Sequence, residues 1–384
     1  MKQNVWIIIG ASALFGVASG IYDFTFPFYL EDRHLSFRDM GVIFSLATVA
    51  TVLLRVYMGS LSDAWGRKLF YSVSLCLCSL GTGLNAFFAS MWQLTGLRTL
   101  REGAVLVRDM IHPILLYESV GKGFMNLIGK ARGLEFLFMA GGTLLAGVTF
   151  KAWGDGGSLL VAGILVMAAF LFFSLTYRER RRQRRGEKAS LRGLFSLAGL
   201  SPELRTVAWA GVFLWMGSGA SHSFIMQLFF VHKFGASLYE VRWVMFLHRL
   251  LIVAPLMLVG HLRIRDLRTA YMVAVIGEGL SLIGATLMPT FLTSAAVWLL
   301  HDFVGGGIWS PIQHTLIQRY SRDESRGHDV SKALALMALG GAVGPYLAGM
   351  TAGILIDLPF AISGVLMLIS VLPIFGLEER STRA

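Results

Sequence analysis

Three stretches of the sequence, residues 69–97, 156–177 and 333–356, each run for more than 20 residues without a charged side chain. About 20 apolar residues in a helix, each rising about 1.5 Å, cross the roughly 30 Å hydrocarbon layer of a membrane. Only 15% of the 384 residues are charged, whereas soluble domains carry about 25%. The sequence therefore predicts an all-α membrane protein rather than a soluble one.

Breaks in hydrophobicity predict twelve transmembrane helices. No part of the chain shows the alternating segments of about 10 residues that a membrane β-barrel requires. The first apolar stretch is not followed by a cleavage site of small residues, so we expect it to be a retained helix and not a signal peptide. The spans are expected near residues 5–30, 38–58, 69–89, 92–117, 133–150, 157–177, 205–231, 239–260, 269–288, 293–317, 331–354 and 358–377.

Lys and Arg residues are distributed unequally among the predicted loops. The even-numbered loops and the two termini hold 24 of them, and the odd-numbered loops hold 4. Because positively charged loops remain on the cytoplasmic side, both termini are predicted to be cytoplasmic, in a multi-pass protein of a bacterial-type inner membrane. This orientation also explains the basic stretch 178–185, which lies next to anionic headgroups. We therefore expect no nucleic-acid partner.

The two halves of the chain share short patterns. Ser36 and Asp39 begin span 2, and Ser237 and Glu240 begin span 8, 201 residues later. Both pairs are predicted capping boxes, in which the hydroxyl and the acid satisfy backbone N–H groups at the helix start. We therefore predict two pseudo-symmetric six-helix bundles, an arrangement found in many secondary transporters. Their predicted boundaries are 1–177 and 205–384, joined by a basic cytoplasmic linker at 178–204.

The loop between spans 2 and 3 contains the sequence GSLSDAWGRK at residues 59–68. It resembles the signature G-x-L-[AS]-D-x-x-G-R-[KR] of the major facilitator superfamily. Together with the twelve spans and the repeated halves, the resemblance covers the whole chain. It implies that this loop latches the two halves on the cytoplasmic side and releases them during transport. The residues to which it gives this gating role are Gly59, Asp63, Gly66, Arg67 and Lys68.

One departure from the family concerns span 5. Drug/proton antiporters of the family usually carry G-x-x-x-G-P-x-x-G there, whereas this chain has only Gly141, Gly142 and Gly147. The nearest match lies in span 11, at residues 340–349. The resemblance therefore does not favour a multidrug antiporter, and these small residues are typical of closely packed helices.

Span 4 carries six ionisable residues that fall within one sector of about 120°, at about 100° per residue. An ionisable group at the membrane centre costs roughly 2.5–3.5 kcal/mol, so this face is predicted to line a cavity or a polar seam. Two of the six, both arginines, are candidates for solute binding. The remaining four are predicted to form a polar stripe or internal ion pairs. The six residues are Arg98, Glu102, Asp109 and His112, with Arg101 and Arg108 as the candidates.

The remaining polar residues within the spans complete the predicted site. All deep cations are arginines, whose planar forks match carboxylates and phosphates. Internal pairing of all these charges is the alternative. The predicted solute-binding residues are Arg101, Arg108, Arg249, His222, Trp309 and Gln313, and the predicted proton-coupling residues are Asp23, His301 and Asp302.

These residues predict a secondary active transporter for a small anionic organic solute, with a proton as coupling ion. A broad-specificity drug efflux antiporter is the alternative with the same fold, and a membrane sensor or scaffold is the alternative of another class. No loop shows the spacing of a catalytic or metal site, so we expect no enzyme activity, no cofactor and no metal. The expected partners are the solute, the coupling ion and the lipid bilayer, and the chain is expected to be a monomer.

Overall fold

A computed structural model describes residues 2–120, 124–179, 199–258, 264–322 and 326–377. Within these ranges all regular secondary structure is helical, as the sequence predicts. The helices of the first half are α1 (Lys2–Asp32), α2 (Phe37–Trp65), α3 (Arg67–Gly83), α4 (Met91–Val120) and α5 (Phe124–Thr176). Those of the second half are α6 (Pro202–Ser221), α7 (Ile225–Phe234), α8 (Leu238–Leu251), α9 (Val253–Leu258), α10 (Leu267–Leu287), α11 (Phe291–His301), α12 (Gly307–Tyr320), α13 (Arg326–Ala352) and α14 (Leu358–Phe375).

Among the described residues, eight helical segments are long and apolar enough to cross a membrane. One of them, 130–176, contains two predicted spans that meet at Gly154, where φ is 71°. The chain is thus a multi-pass membrane protein. The segments are Gln3–Asp32, Phe37–Leu54, Arg67–Phe87, Lys130–Thr176, Leu267–Leu287, Phe291–Tyr320, Asp329–Ala352 and Leu358–Phe375.

Three spans that were predicted to be continuous are interrupted. Span 7 divides between α6 and α7, and span 8 divides between α8 and α9. Span 10 contains a π-helix, Asp302–Gly306, between α11 and α12. Glycine stabilises a regular helix poorly, and residues 305–307 are three consecutive glycines. π-Helical turns occur frequently at functional sites.

Close contacts group the chain into two compact units. The first contains Met1–Leu191 together with Ser237–Leu250, which form most of α8. Within it, α1 packs along α5, α2 packs against α4, and α3 packs against α4 and α5. The predicted linker lies mostly outside the described residues, so the domain boundaries derived from the sequence stay a prediction.

The second unit contains Arg192–Ala236 and Leu251–Ala384. Within it, α6 packs against α13 and α14, and α10 packs against α14, α11 and α12. These pairings correspond to those of the first unit. In each half, the first helix (α1 or α6) packs on the fifth predicted span of that half.

Both predicted capping boxes are present. The Ser36 N–H donates to Asp39 Oδ2 over 3.1 Å, and the Asp39 N–H donates to Ser36 Oγ over 3.2 Å. At the start of α8, the Ser237 N–H donates to Glu240 Oε2 over 2.8 Å, and the Glu240 N–H donates to Ser237 Oγ over 3.3 Å. This part of the sequence repeat is confirmed as structure.

The crossing of α1 and α5 requires glycine. A methyl group added at Gly142 would overlap the carbonyl group of Val17, whereas one added at the neighbouring Gly141 would meet nothing within 4 Å. The same crossing recurs in the second unit, where a methyl group at Gly340 would overlap the carbonyl group of Val212. Small residues therefore set the helix separation in each unit, as expected for helices that pack in lipid.

We expect Gly142→Ala to destabilise the protein by about 1–3 kcal/mol, because the added carbon must push α1 and α5 apart. Gly141→Ala is the matched control, since it adds the same atom to the same helix in open space and gains helix propensity. Unfolding temperatures of the two purified variants in detergent test this. An unfolding temperature of Gly142→Ala equal to that of Gly141→Ala would contradict the close crossing.

Candidate functional site

The loop that resembles the family signature forms a tight turn at Gly66, whose φ of 100° is a conformation that side-chain-bearing residues rarely adopt. The Lys68 N–H donates to Glu179 Oε1 over 3.0 Å, and Arg67 pairs with Glu118. Gly59 lies within α2, the Asp63 side chain lies outside what the structure describes, and the gating role of the loop stays a prediction.

The ionisable residues of α4 separate into two groups along the helix. Arg101 and Arg108 are seven residues apart, which corresponds to about 10 Å along the axis at about 1.5 Å per residue. Each of them is buried, with 5% and 1% of its surface exposed. Both arginines lie within the first unit, and each is at the centre of its own set of ion pairs.

The first group surrounds the Asp23 carboxylate of α1. Arg101 Nη2 lies 3.3 Å from Asp23 Oδ1, and Arg249 Nη2 lies 3.3 Å from Asp23 Oδ2. Arg101 Nη1 also donates to Glu102 Oε1 over 2.6 Å, and Arg98 Nη2 lies 3.5 Å from the same oxygen. Counting only the contacts between described residues, three guanidinium groups face two carboxylates, which is one excess positive charge.

Aromatic rings support the same group. The Arg101 guanidinium lies 3.9 Å from the ring centre of Tyr22, and that of Arg98 lies 3.5 Å from the ring centre of Phe44. Such contacts favour a cation that is removed from bulk water. They hold Arg98 and Arg101 in place while Asp23 keeps 31% of its side chain exposed.

The second group on α4 is a closed network around Arg108. Its Nη1 donates to Glu135 Oε1 over 2.7 Å and its Nη2 to Glu135 Oε2 over 2.8 Å, which is the two-point geometry of a strong ion pair. Arg108 Nη1 also donates to Asp109 Oδ1 over 2.7 Å, and Arg132 Nη1 lies 3.6 Å from that oxygen. Within the part of the chain that the structure describes, two cations face two carboxylates, so these charges balance.

His112 lies next to the second group. Its Nδ1 is 3.2 Å from Ser12 Oγ and 3.3 Å from the Tyr71 hydroxyl, and Arg108 Nη2 donates to the same serine oxygen over 3.0 Å. The side chain is fully buried. The part of the predicted stripe from Arg108 to His112 therefore packs as a polar seam between helices.

In the second unit, the predicted residues His222, His301 and Asp302 lie in contact with one another. His222 Nε2 lies 2.9 Å from His301 Nε2, which lies 3.3 Å from Asp302 Oδ1. His222 Nδ1 lies 2.8 Å from Ser221 Oγ, and His301 Nδ1 contacts the Trp298 carbonyl oxygen. Asp302 is the first residue of the π-helix.

The Trp298 carbonyl can only accept, so His301 Nδ1 carries a hydrogen. In neutral His301 the Nε2 atom then accepts from His222, and a second acceptor, Asp302 Oδ1, faces it. A proton added to His301 Nε2 would make its contact with Asp302 a charge-assisted hydrogen bond, with His222 Nε2 then accepting in the tautomer that carries its hydrogen on Nδ1.

Gln313 and Trp309 lie on α12 and bind polar groups of neighbouring helices. Gln313 Oε1 accepts from Trp215 Nε1 over 3.0 Å, and Gln313 Nε2 donates to the Tyr271 hydroxyl over 3.1 Å. Trp309 Nε1 donates to the buried Glu278 carboxylate of α10. The predicted residues Gln313 and Trp309 thus lie close to a second tryptophan, Trp215.

Three important residues were not among the predicted site residues. Glu135 was missed because it lies at the start of span 5, where a charge is ordinary. Trp215 was missed because it is one of two tryptophans in its apolar span, where neither carries a distinctive signal. Glu278 was missed because one carboxylate in an otherwise apolar span does not reveal its partner, and its isolation in span 269–288 was the available signal.

Comparison with known proteins decides the family. The profile described as Major Facilitator Superfamily matches residues 8–328 and 208–384. The chain belongs to the Major Facilitator Superfamily. Its resemblance at residues 59–68 to the signature of that superfamily is thereby explained, and its helices are those of a membrane transporter. No curated protein matches the sequence significantly.

Solved structures of this superfamily have the same fold. The nucleoside transporter NupG, as its D323A mutant, has a TM-score of 0.82 at 11% identity, over 98% of this chain and 100% of its own. A bacterial homologue of the human lysosomal transporter Spinster, inward-facing and unoccupied, has a TM-score of 0.74 at 15% identity, over 97% of this chain and 94% of its own. The human organic anion transporter MFSD10 has a TM-score of 0.67 at 14% identity, over 97% of this chain and 99% of its own. At these identities, the likeness establishes the fold.

Proposed function

We propose that this protein is a secondary transporter that moves a small organic anion across an inner membrane, coupled to protons. The proposal rests chiefly on one observation, the convergence of Arg101 and Arg249 on the single carboxylate of Asp23. Its two halves are proposed to be six-helix bundles that alternate access to the solute, with the loop at residues 59–68 as a cytoplasmic gate. Both termini are proposed to be cytoplasmic, and the chain is proposed to act as a monomer.

The charge of the two α4 groups indicates which of them binds the solute. The group around Arg108 is balanced and its Arg108–Glu135 pair has two-point geometry, so it has no capacity left for an anion. The group around Asp23 has an excess positive charge, and its two contacts to Asp23 of 3.3 Å are longer than the 2.7–2.9 Å of tight charge-assisted bonds. Arg101 and Arg249 are therefore the proposed anion ligands.

Asp23 occupies the place that a solute carboxylate would take between these two arginines. A solute anion and the Asp23 anion compete for the same guanidinium groups, so binding of the solute is favoured when Asp23 takes up a proton. Protonation and solute binding then occur together on the same side of the membrane. This linkage couples the solute to the proton gradient by mass action.

Asp23→Asn tests the coupling. The amide carries no charge and takes up no proton, so we expect solute exchange across proteoliposomes to continue while accumulation driven by an imposed pH gradient falls at least about tenfold. The probe is a set of radiolabelled carboxylates that includes acetate, lactate, benzoate and nicotinate. Asp32→Asn, an exposed carboxylate at the other end of α1, is the control. Gradient-driven accumulation by Asp23→Asn at the unaltered level would refute this role.

His301 and Asp302 are proposed as a second proton-binding group. The supporting observation is the pair of acceptors that meets at His301 Nε2, with Glu278 packed against the same π-helix at Gly305. Loss of gradient-driven accumulation in Asp302→Asn, with exchange retained, would assign the coupling there instead of to Asp23.

A broad-specificity efflux antiporter remains the second candidate, because two tryptophans line a cavity in the second unit. Such a pump would protect cells against lipophilic drugs. A susceptibility screen of an overexpressing strain separates the two functions: resistance to several unrelated lipophilic compounds would favour the pump, and unchanged susceptibility together with carboxylate uptake would favour the anion transporter.

A further inference from the structure

A cavity of about 240 Å³ lies between α6, α12 and α13, entirely within the second unit. It is lined by Trp215, Ser218, Gly219, His222, Trp309 and Gly341. We propose that this cavity binds a planar aromatic or heteroaromatic ring, an inference that rests on the proposed transport function and specifies the class of ligand that the second unit takes.

The two tryptophans are held in fixed orientations by buried polar groups behind them. Trp215 donates its N–H to Gln313, which in turn donates to Tyr271, and Trp309 donates its N–H to Glu278. Gln313, Tyr271 and Glu278 are each only 1% exposed. Because both indole N–H groups are already satisfied, the tryptophans offer a ligand their aromatic surfaces, and the preorganised rings lose little entropy on binding.

His222 contributes in the same way. Its two ring nitrogens lie within hydrogen-bond distance of Ser221 and His301, so its ring surface is what it presents to the cavity. Three aromatic side chains thus border one space with their polar atoms directed into the protein. Aromatic pairs prefer offset-stacked or edge-to-face contacts, which a flat ring can make with several neighbours at once.

The other lining residues are small and leave room for such a ring. A cavity of about 150 Å³ is large enough to hold benzene, and this one is larger. A methyl group added at Gly341 would be 3.7 Å from Trp215 Cε3, an ordinary van der Waals contact, so a larger side chain at this position would occupy the space beside the indole. The volume fits one ring or a fused pair, and is small for a whole drug-sized molecule.

The lining chemistry favours an aromatic ring over a compact cation or an aliphatic group. No carboxylate is among the lining residues, so a cation would enter without a counter-charge. An aliphatic ring fills the same volume but lacks the π-electron contacts. We therefore expect the cavity to bind a flat aromatic ring more tightly than an aliphatic ring of the same size, although the aliphatic ring is the more hydrophobic.

Matched probes test this preference in the purified full-length chain. Benzoate and cyclohexanecarboxylate share size and charge, and benzamide and cyclohexanecarboxamide form the neutral pair. Burial of apolar area alone would favour the cyclohexyl compounds, which have the larger apolar surface. We expect instead a Kd for benzoate at least about fivefold below that for cyclohexanecarboxylate by titration calorimetry, and the same order in the neutral pair.

Two variants locate the preference. Trp309→Leu removes one aromatic wall, and Gly341→Leu fills the cavity, so each should bring the ratio of the two Kd values close to one. Trp92→Leu is the control, since Trp92 is 66% exposed on α4. Where Trp309→Leu lowers the unfolding temperature strongly, Gly341→Leu decides.

Equal affinities of the paired probes for the unmodified protein would overturn the proposal, as would binding of none of the four compounds. A ratio that persists in Gly341→Leu would also overturn it. A ring preference seen only in the neutral pair, with neither acid bound, would support the ring site and contradict the anionic solute of the proposed function. A ring preference in the neutral pair that is unchanged in Arg249→Ala would support the ring site independently of the proposed anion ligands.

Discussion

Replacing Arg249 by alanine is expected to reduce carboxylate uptake at least about 30-fold while the protein remains folded in the membrane. Truncation of one member of a buried charge pair at a binding site costs about 2–5 kcal/mol, and about 2 kcal/mol already corresponds to a factor of 30. Arg249 is only 7% exposed and supplies one of the two guanidinium groups at Asp23. Initial rates of labelled carboxylate uptake into proteoliposomes measure the effect.

The fold should tolerate this change because Asp23 retains its contact to Arg101. Arg249→Lys keeps the charge but loses the planar fork, so we expect intermediate uptake with a raised KM. Arg38→Ala removes an exposed guanidinium and should leave uptake unchanged. Near-normal uptake by Arg249→Ala, at an unaltered unfolding temperature, would remove Arg249 from the solute site.

Much of the fold could be predicted because the membrane imposes it locally. A charge-free run such as 156–177 has few alternatives to a transmembrane helix, since every backbone polar group must be satisfied inside the segment. The capping boxes at Ser36 and Ser237 were equally accessible, because their partners are three residues away. Both features depend only on neighbours in sequence.

The partners of the site residues could not be predicted, because they depend on which helices touch. The Arg249–Asp23 pair joins residues 226 positions apart, and hydrophobic periodicity does not determine such a contact. The α4 stripe shows the limit clearly: its angular position was predicted, but the sequence could not show that Glu135 would meet Arg108. The π-helix that begins at Asp302 likewise lies against Glu278 of α10, a contact that the local sequence does not reveal.

The structure separates two arginines that the sequence placed in one class of candidates. Arg101 and Arg108 share a helix face and a similar degree of burial, yet only Arg101 belongs to a group with excess positive charge. Charge balance within each contact group, rather than burial, therefore distinguishes a candidate ligand from a structural residue. This distinction is testable, because the two classes respond differently to removal of the partner acid.

Glu135→Ala is expected to destabilise the protein by about 3 kcal/mol, the second large effect that we predict. It leaves the guanidinium of Arg108, which is 1% exposed, without its two-point partner, and an uncompensated buried charge is costly. The remaining contact to Asp109 keeps the loss at the lower end of the range for broken buried pairs, about 3–5 kcal/mol. The free energy of unfolding in mixed micelles measures it, with the exposed Lys151→Ala as control.

The double variant Arg108→Met with Glu135→Met should recover most of this stability. It removes both charges together and fills the space with apolar side chains of similar length, an exchange that is often neutral for buried pairs. Asp109 and Arg132 keep each other as partners at 3.6 Å. Since the group around Arg108 is proposed to be structural, the double variant should also transport carboxylates at a near-normal rate. Loss of uptake in a double variant of normal stability would instead assign Arg108 to solute binding, as the sequence predicted.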